Sequence, residues 1–166
     1  MIRLCDKNDE NSIWDIINDA ARAYRGVIPE DRYHDPYMSM EELVQEIEDG
    51  VTFWGFEEDG ELCGVMGIQD KGEVALVRHA YVRNARRQGG IGTKLLLHIT
   101  KITEKPILIG TWEAANWAIS FYLKNGFTLV DANEKGDLLR KYWSVPERQI
   151  ETSVVLCDAK FRRNAR

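Results

Sequence analysis

The sequence has no apolar run approaching the roughly 20 residues that a membrane-spanning helix requires, so we expect no membrane association. It contains only three cysteines, Cys5, Cys63 and Cys157, and their wide spacing argues against a disulfide framework. The segment from Met1 to Lys7 lacks the apolar core of a secretory signal peptide. These absences together predict a cytoplasmic protein with reduced thiols.

An excess of basic charge is also missing. Lys and Arg number 22 against 27 Asp and Glu, which gives a net charge of −5, so nucleic acid is not an expected partner. Hydrophobic residues make up 44% and charged residues 30% of the 166 residues, the balance of a globular domain with a core. Repeats and low-complexity segments are absent from the sequence. We therefore predict one domain over residues 1–159 and a frayed basic tail over 160–166.

Hydrophobic periodicity gives the order of the secondary structure. Strands are predicted at residues 2–5, 51–56, 61–68, 73–82, 106–112, 127–130 and 153–157. Helical spacing occurs at 13–24, 40–47, 91–103 and 117–125, with a short helical excursion at 138–143. Antiparallel strands followed by one βαβ crossover predict an α+β fold with flanking helices and a mixed, mostly antiparallel sheet of about seven strands.

The densest chemical signal is the segment 86–96, which reads RRQGGIGTKLL and leads from a strand into a helix. Its glycines allow backbone N–H groups to approach an anion, and the helix N-terminus and two arginines add positive potential. Thr93 after Gly92 excludes a Walker loop, and Leu95 excludes a dinucleotide fingerprint that starts at Gly90. On spacing alone, a glycine-rich turn with a solvated basic edge explains the segment equally well.

A second segment, NWAISFYLKNGF at 116–127, favours the anion site. Together the two segments resemble the GNAT superfamily of acyl-CoA-dependent N-acetyltransferases. The superfamily's acetyl-CoA loop, Gln/Arg-x-x-Gly-x-Gly/Ala, is matched by Arg87, Gly90 and Gly92. Its later Phe-Tyr-x-Lys-x-Gly-Phe pattern is matched by Phe121, Tyr122, Lys124, Gly126 and Phe127. The element order is similar over nearly the whole chain, which implies a GNAT-like fold whose sheet splays between the fourth and fifth strands.

The resemblance implies acetyl-CoA as co-substrate. Backbone N–H groups at the helix start would bind the pyrophosphate of coenzyme A, and the strand before the loop would bond the pantetheine amides. Asn116 is displaced by one position from the superfamily's usual asparagine. The residues expected to bind the cofactor are Ala80, Tyr81, Val82, Arg87, Gln88, Gly89, Gly90, Gly92, Thr93 and Asn116.

Tyr122 matches the superfamily's usual general acid. A phenol with a pKa near 10 can protonate a departing thiolate, whose conjugate acid has a pKa of about 8.5–10. The alternative is a buried tyrosine that only packs its helix against the sheet.

Two residues are candidates for the general base, and the sequence does not decide between them. The strand position that carries a glutamate in histone-type members is Leu76, and the next inward residue is Arg78. Glu113 follows the strand that enters the cleft and is near the position used by ribosomal-protein alanine acetyltransferases. His79 is the other candidate, although strand alternation turns it away from Arg78 unless a bulge intervenes. A solvated rim carboxylate and a hydrogen-bonded core histidine are the structural alternatives for these two residues.

Acceptor recognition is expected in the loop 26–38, from Arg32, His34 and Tyr37, in the segment around Trp143, and from Arg78. The arginines can bind a carboxylate of the acceptor. They can equally pair with acidic residues of the loop, namely Glu30, Asp31 and Asp35. Histidine and cysteine spacing does not match any metal site, so we predict no metal.

These observations predict a cytoplasmic N-acetyltransferase that moves an acetyl group directly from acetyl-CoA to a primary amine of a small molecule or peptide. One alternative is a catalytically silent acyl-CoA-binding module, which the missing strand glutamate favours. Another is an acyltransferase with an O-acceptor or a longer acyl group. The sequence is compatible with a monomer or a homodimer.

Overall fold

The computed structural model describes residues 1–164, which group into two compact units. The first unit comprises residues 1–70 and 77–104, and the second comprises residues 71–76 and those from 105 onward. In the first unit lie strands β1 (Ile2–Leu4), β2 (Val51–Glu58), β3 (Glu61–Asp70) and most of β4 (Ala75–Val82), with helices α1 (Glu10–Ala21), α2 (Met40–Glu48) and α3 (Ile91–Ile102). In the second lie the start of β4, β5 (Ile107–Trp112), β6 (Thr128–Leu129) and β7 (Ser153–Cys157), with helices α4 (Asn116–Lys124), α5 (Ala132–Tyr142), α6 (Glu147–Glu151) and α7 (Ala159–Asn164).

The strands form one seven-stranded sheet in the order β1-β2-β3-β4-β5-β7-β6. The pairs β1/β2, β2/β3, β5/β7 and β6/β7 are antiparallel, and β5 runs parallel to β4. This arrangement confirms the predicted α+β class and the mixed, mostly antiparallel sheet. Among residues 1–164, no helix has both the length and the apolar character needed to cross a bilayer.

Local sequence explains the hairpin between β2 and β3. Asp59 (φ 53°) and Gly60 (φ 81°) both adopt left-handed backbone, as a two-residue type I′ turn requires. A register shift between Phe56 and Glu57 marks a bulge near this end of the pair. The turn fixes the register, so alternate residues such as Phe53 and Val65 lie in the core of the first unit.

Each unit has its own hydrophobic cluster. In the first, α1 buries Ile13, Ile16 and Ile17 and α2 buries Leu43, all at 1% exposure or less, against residues of β2 and β3. In the second, Leu108, Val155 and Cys157 of β5 and β7 pack with Leu139 and Tyr142 of α5. The apolar spacing read from the sequence thus marks the buried faces of these elements.

Several boundaries differ from the sequence prediction. The helix predicted at 13–24 is α1 (Glu10–Ala21), the excursion predicted at 138–143 belongs to the longer α5 (Ala132–Tyr142), and the strand predicted at 127–130 is only β6 (Thr128–Leu129). The strand predicted from residue 73 begins at Ala75, because Lys71 N donates to Val74 O at 2.8 Å and closes a turn first. Helix α6, which follows Pro146, is absent from the predicted order. The tail predicted over 160–166 contains α7, and its last two residues, 165 and 166, lie outside the described residues.

Near the start of the chain, Arg3 and Asp9 form a largely buried ion pair. The Asp9 carboxylate, 9% exposed as a residue, accepts from Arg3 Nη1 and Nη2 at 2.9 Å each and from the Asp6 N–H at 2.8 Å. Arg3 also donates from Nε to Glu57 at 2.7 Å. The hydrogen bonds from Arg3, helped by the one from Asp6, hold the pKa of Asp9 below its ordinary value although burial opposes this.

We therefore expect Asp9→Asn to lower the free energy of unfolding at pH 7 by about 1.5–3 kcal/mol, the usual contribution of a hydrogen bond to a charged group. Because the folded-state pKa lies below the unfolded value of about 3.9, this contribution is present above that value and is lost as pH falls through the folded pKa. Urea unfolding at several pH values should show that the difference in unfolding free energy between the parent and the variant becomes smaller below pH 4. Asp15→Asn, at an exposed position of α1, is the control for charge alone, and an equal deficit there would contradict the account.

Candidate active site

The loop between β4 and α3 has the backbone of an anion site. Gln88 (φ 69°) and Gly90 (φ 75°) are left-handed and turn the chain just before the helix begins at Ile91. Lys94 N donates to Gly90 O at 3.0 Å as the first helical bond. The N–H groups of residues 91–93 precede that bond, so helix geometry gives them no carbonyl partner within α3. They lie at the positive end of a 12-residue helix.

The loop is anchored to α1 rather than free. The Asn84 N–H donates to Asp19 Oδ2 at 2.8 Å, and Asn84 Nδ2 donates to the Asp19 main-chain oxygen at 2.7 Å. Arg86 is held by an ion pair with Glu58 and by a contact with Cys63 Sγ at 3.3 Å. Of the two arginines expected to face a phosphate, only Arg87 is exposed.

The end of β4, residues 80–82, is half-buried beside β3. A Cβ at Gly64 would lie 3.3 Å from the Tyr81 carbonyl oxygen, so glycine permits the close approach of the two strands. Tyr81 shares a hydrogen bond of 3.2 Å with the hydroxyl of Tyr24. Burial raises the pKa of Tyr24 although this bond and the charge of Arg87 oppose the change, so its hydroxyl stays protonated at neutral pH.

His79 has left-handed backbone, with φ 52°, in the middle of β4. This single residue interrupts the strand alternation, which is the irregularity that the sequence argument required for His79. Its Nε2 is hydrogen-bonded to Glu46 Oε2. Its ring stacks with the rings of Phe53 and Tyr81, with centroids 6.2 Å and 6.4 Å apart. The neighbouring Arg78 bonds Glu46 Oε1 from Nη2 at 3.1 Å.

Glu46 is the site residue that the sequence reasoning missed. It lies on α2, three residues after the fully buried Leu43, and so it shares the inward side of that helix. The spacing from Leu43 was the available signal, but a polar residue in an amphipathic helix ordinarily faces solvent. Arg78 is therefore paired, but with Glu46 rather than with the acidic residues of the loop 26–38.

The second unit holds the proposed acid and the other candidate base. Tyr122 of α4 is 6% exposed, and its ring contacts those of Phe121 at 5.1 Å and Phe127 at 6.1 Å. Asn116 is the first, exposed residue of α4. Glu113 is exposed and follows the last residue of β5, and its N–H donates to Thr152 O at 2.8 Å.

The residues predicted to recognise the acceptor have several environments. Tyr37 contacts Tyr24 with ring centroids 5.2 Å apart, His34 is exposed, and Arg32 is half-buried. Trp143, in the second unit, packs on β5, where a Cβ at Gly110 would lie 3.1 Å from the indole. Trp143 therefore has a packing role that requires glycine at position 110.

The cysteines are unpaired, and burial raises the pKa of Cys5 to about 12 and that of Cys63 above its ordinary value. A protonated thiol is a poor nucleophile, which agrees with core packing for Cys63. Among residues 1–164, no three His, Cys, Asp or Glu side chains are grouped so that they could hold a metal ion.

The segment 49–129, which spans β2 to β6 and includes the loop before α3, matches the family model described as an acetyltransferase (GNAT) domain. This segment of the chain is therefore similar to a GNAT acetyltransferase domain. A search among curated protein sequences found no significant match.

Solved structures share the GNAT fold over most of the chain. The PaiA N-acetyltransferase of Thermoplasma acidophilum, in complex with coenzyme A, superposes with a TM-score of 0.73 at 20% identity, covering 95% of this chain and 97% of that one. The N-acetylglutamate synthase of Neisseria gonorrhoeae, complexed with coenzyme A and N-acetyl-glutamate, superposes with a TM-score of 0.68 at 21% identity, covering 95% of this chain and 34% of that one. The ribosomal-protein-alanine N-acetyltransferase of Brucella melitensis superposes with a TM-score of 0.60 at 19% identity, covering 79% of this chain and 86% of that one.

Proposed function

We propose that this GNAT-like domain transfers an acetyl group from acetyl-CoA to a primary amine of a small molecule or peptide, in the cytoplasm and without a metal. The observation that carries the proposal is the loop 87–93, where two left-handed residues present the uncapped N-terminus of α3 beside the exposed Arg87. Backbone N–H groups in this arrangement bind phosphate groups. Two of the structures named above hold coenzyme A, which supports the same cofactor here.

The cofactor's diphosphate would bind the N–H groups of residues 88–93 with Arg87, and its pantetheine amides would bond the edge of residues 80–82. Asn116 is proposed as a further pantetheine contact. Acetyl-CoA supplies the activated thioester, and the chain supplies its orientation and the proton transfers. Direct transfer requires no acyl-enzyme.

The reaction balances as follows. The acceptor ammonium loses one proton to a base, and the amine lone pair forms a C–N bond with the thioester carbonyl carbon. The C–S bond breaks, its electron pair goes to sulfur, and Tyr122 protonates the departing thiolate. The nitrogen loses its second proton to give the neutral amide, and one proton in total is released to solvent.

We propose His79 rather than Glu113 as the base. His79 is fixed by a hydrogen bond to Glu46 and by two stacked rings, whereas Glu113 is exposed beyond the end of its strand. A general base acts best when packing and hydrogen bonds hold it in place.

This choice predicts that His79→Gln removes the acidic limb of the pH profile of kcat/KM and lowers the plateau by about 10²- to 10⁴-fold, the usual contribution of general base catalysis. Glu113→Gln should keep the limb. The profiles are measured with saturating acetyl-CoA, and loss of the limb in the Glu113 variant alone would assign the base to Glu113.

The activity itself is tested by release of free coenzyme A thiol in the presence of a panel of amino acids, peptides and polyamines, with alcohols as the O-acceptor control. Thiol release that requires a primary amine supports the proposal. The names of two similar structures, an N-acetylglutamate synthase and a ribosomal-protein-alanine N-acetyltransferase, justify amino acids and peptides in the panel. Arg32, His34, Tyr37, Arg78 and Trp143 stay as the proposed acceptor-side residues.

A further inference from the structure

The carboxylate of Glu46 connects α2 to two consecutive residues of β4. Its Oε1 accepts from Arg78 Nη2 at 3.1 Å, and its Oε2 is bonded to His79 Nε2. Consecutive residues of a regular strand point to opposite faces, so they do not normally reach one carboxylate. The three side chains are 23%, 21% and 15% exposed for Glu46, Arg78 and His79.

The backbone of β4 is adapted to make this contact. Left-handed backbone at a residue other than glycine is strained and persists only where the surroundings enforce it. Here φ of His79 is 52°, and the Arg78 carbonyl oxygen lies only 2.7 Å from where a Cβ at Gly67 would be. Glycine at position 67 of β3 therefore makes room for the irregular strand.

Arg78 is held from a second side. Its Nη1 donates to Gln69 Oε1 at 3.1 Å, and Gln69 Nε2 in turn donates to the Asp49 main-chain oxygen at 3.0 Å. Gln69 is 4% exposed. This chain of hydrogen bonds fixes the guanidinium beside Glu46 and leaves one carboxylate oxygen for the imidazole.

The charge of Glu46 decides which imidazole nitrogen carries the proton. Burial raises the pKa of Glu46, but the hydrogen bond from His79 and the positive charges of His79 and Arg78 together outweigh burial, so the net shift is downward. An ionised carboxylate only accepts hydrogen bonds, so Nε2 of His79 must be the donor. In the neutral imidazole the lone pair is then on Nδ1.

We propose that Glu46 is a positioning residue that holds neutral His79 in its Nε2–H tautomer, so that Nδ1 is the atom that takes the proton from the acceptor ammonium. This inference rests on the proposed function. The proton moves from the ammonium nitrogen to Nδ1, and the resulting imidazolium keeps its Nε2–H bond to Glu46 until Nδ1 releases the proton to solvent. Other ionisable or polar groups around the imidazole are Arg78 and Tyr81 of β4, Tyr24 bonded to Tyr81, and the neutral Gln69 of β3.

The test compares the parent with Glu46→Gln, which keeps the shape but removes the charge. A glutamine amide can donate to or accept from the imidazole, so it no longer fixes the tautomer. We expect kcat to fall about 10- to 100-fold, as when the orienting partner of a functional histidine is lost, with KM for the amine nearly constant. The acidic limb of kcat should move to lower pH, because an amide stabilises an imidazolium less than a carboxylate does. Glu48→Gln, an exposed change on the same helix, should keep the parent profile.

Nitrogen-15 NMR of the histidine rings reads the tautomer without any turnover, and His79→Gln identifies the His79 signals. The inference predicts Nε2–H in the neutral parent and a mixture in Glu46→Gln. Nδ1–H in the parent, or an unchanged kcat and pH profile in a folded Glu46→Gln protein, would overturn it while leaving the acetyltransferase proposal intact. A parent that shows the Nε2–H form but acetylates no amine would instead remove the proposed function, and with it the role of His79 as a base.

Discussion

Gly90→Val is expected to abolish coenzyme A binding, the largest effect on affinity that the structure predicts. Gly90 has φ 75° and lies one residue before α3, where the N–H groups proposed to bind the pyrophosphate begin. A valine side chain there would occupy the path of the phosphate, and the change in backbone preference would reorient the N–H groups. Losing one or two charge-assisted hydrogen bonds of about 1.5–3 kcal/mol each lowers affinity by roughly 10- to 10⁴-fold.

Isothermal calorimetry with coenzyme A measures this directly. The matched control is Gly72→Val, since Gly72 is also left-handed, at φ 83°, and a Cβ there meets nothing within 4 Å. Both substitutions carry a similar backbone strain of about 1–2 kcal/mol. Unchanged coenzyme A affinity in a folded Gly90→Val protein would show that the loop is only a turn.

Tyr122→Phe is expected to lower kcat by about 10²- to 10⁴-fold while coenzyme A affinity stays within a few-fold. The phenylalanine keeps the ring contacts with Phe121 and Phe127 in α4 and just beyond it, so packing is preserved. The substitution removes the hydroxyl that is proposed to protonate the departing thiolate. Pre-steady-state measurement of the acetyl-transfer step separates chemistry from product release.

Tyr142→Phe is the control for this substitution. Tyr142 is likewise buried in the second unit, at 7% exposure, and its hydroxyl donates to Glu73 at 2.9 Å. Loss of the Tyr142 hydroxyl should leave the rate of acetyl transfer at the parent value. A Tyr122→Phe protein with an unaltered chemical step would mean that Tyr122 is a packing residue, and the silent acyl-CoA-binding module would then gain support.

Much of the fold was predictable because its signals are local. Turn residues such as Asp59 and Gly60 mark the hairpin, the Ser39 cap marks the start of α2, and Gly90 marks the start of α3. The glycine-rich loop combines a strand end, flexible residues and a helix start within a few positions, so a turn that leads into α3 follows from local sequence.

The arrangement around His79 was not predictable in the same way. Alternation predicts opposite faces for Arg78 and His79, and one left-handed residue reverses that relation. The reversal depends on Gly67, which is distant in sequence, and on Glu46, whose carboxylate receives both side chains. Short helices are missed for a related reason, since the five residues of α6 contain too little periodicity to identify.

The most direct test of the account is product analysis by mass spectrometry after incubation with isotopically labelled acetyl-CoA and the panel of amines. The account predicts a labelled amide formed in equal amount with free coenzyme A, dependent on a primary amine and absent with Gly90→Val. Tight coenzyme A binding by the parent without labelled acetyl on any amine would contradict it and would favour a binding module without transferase activity.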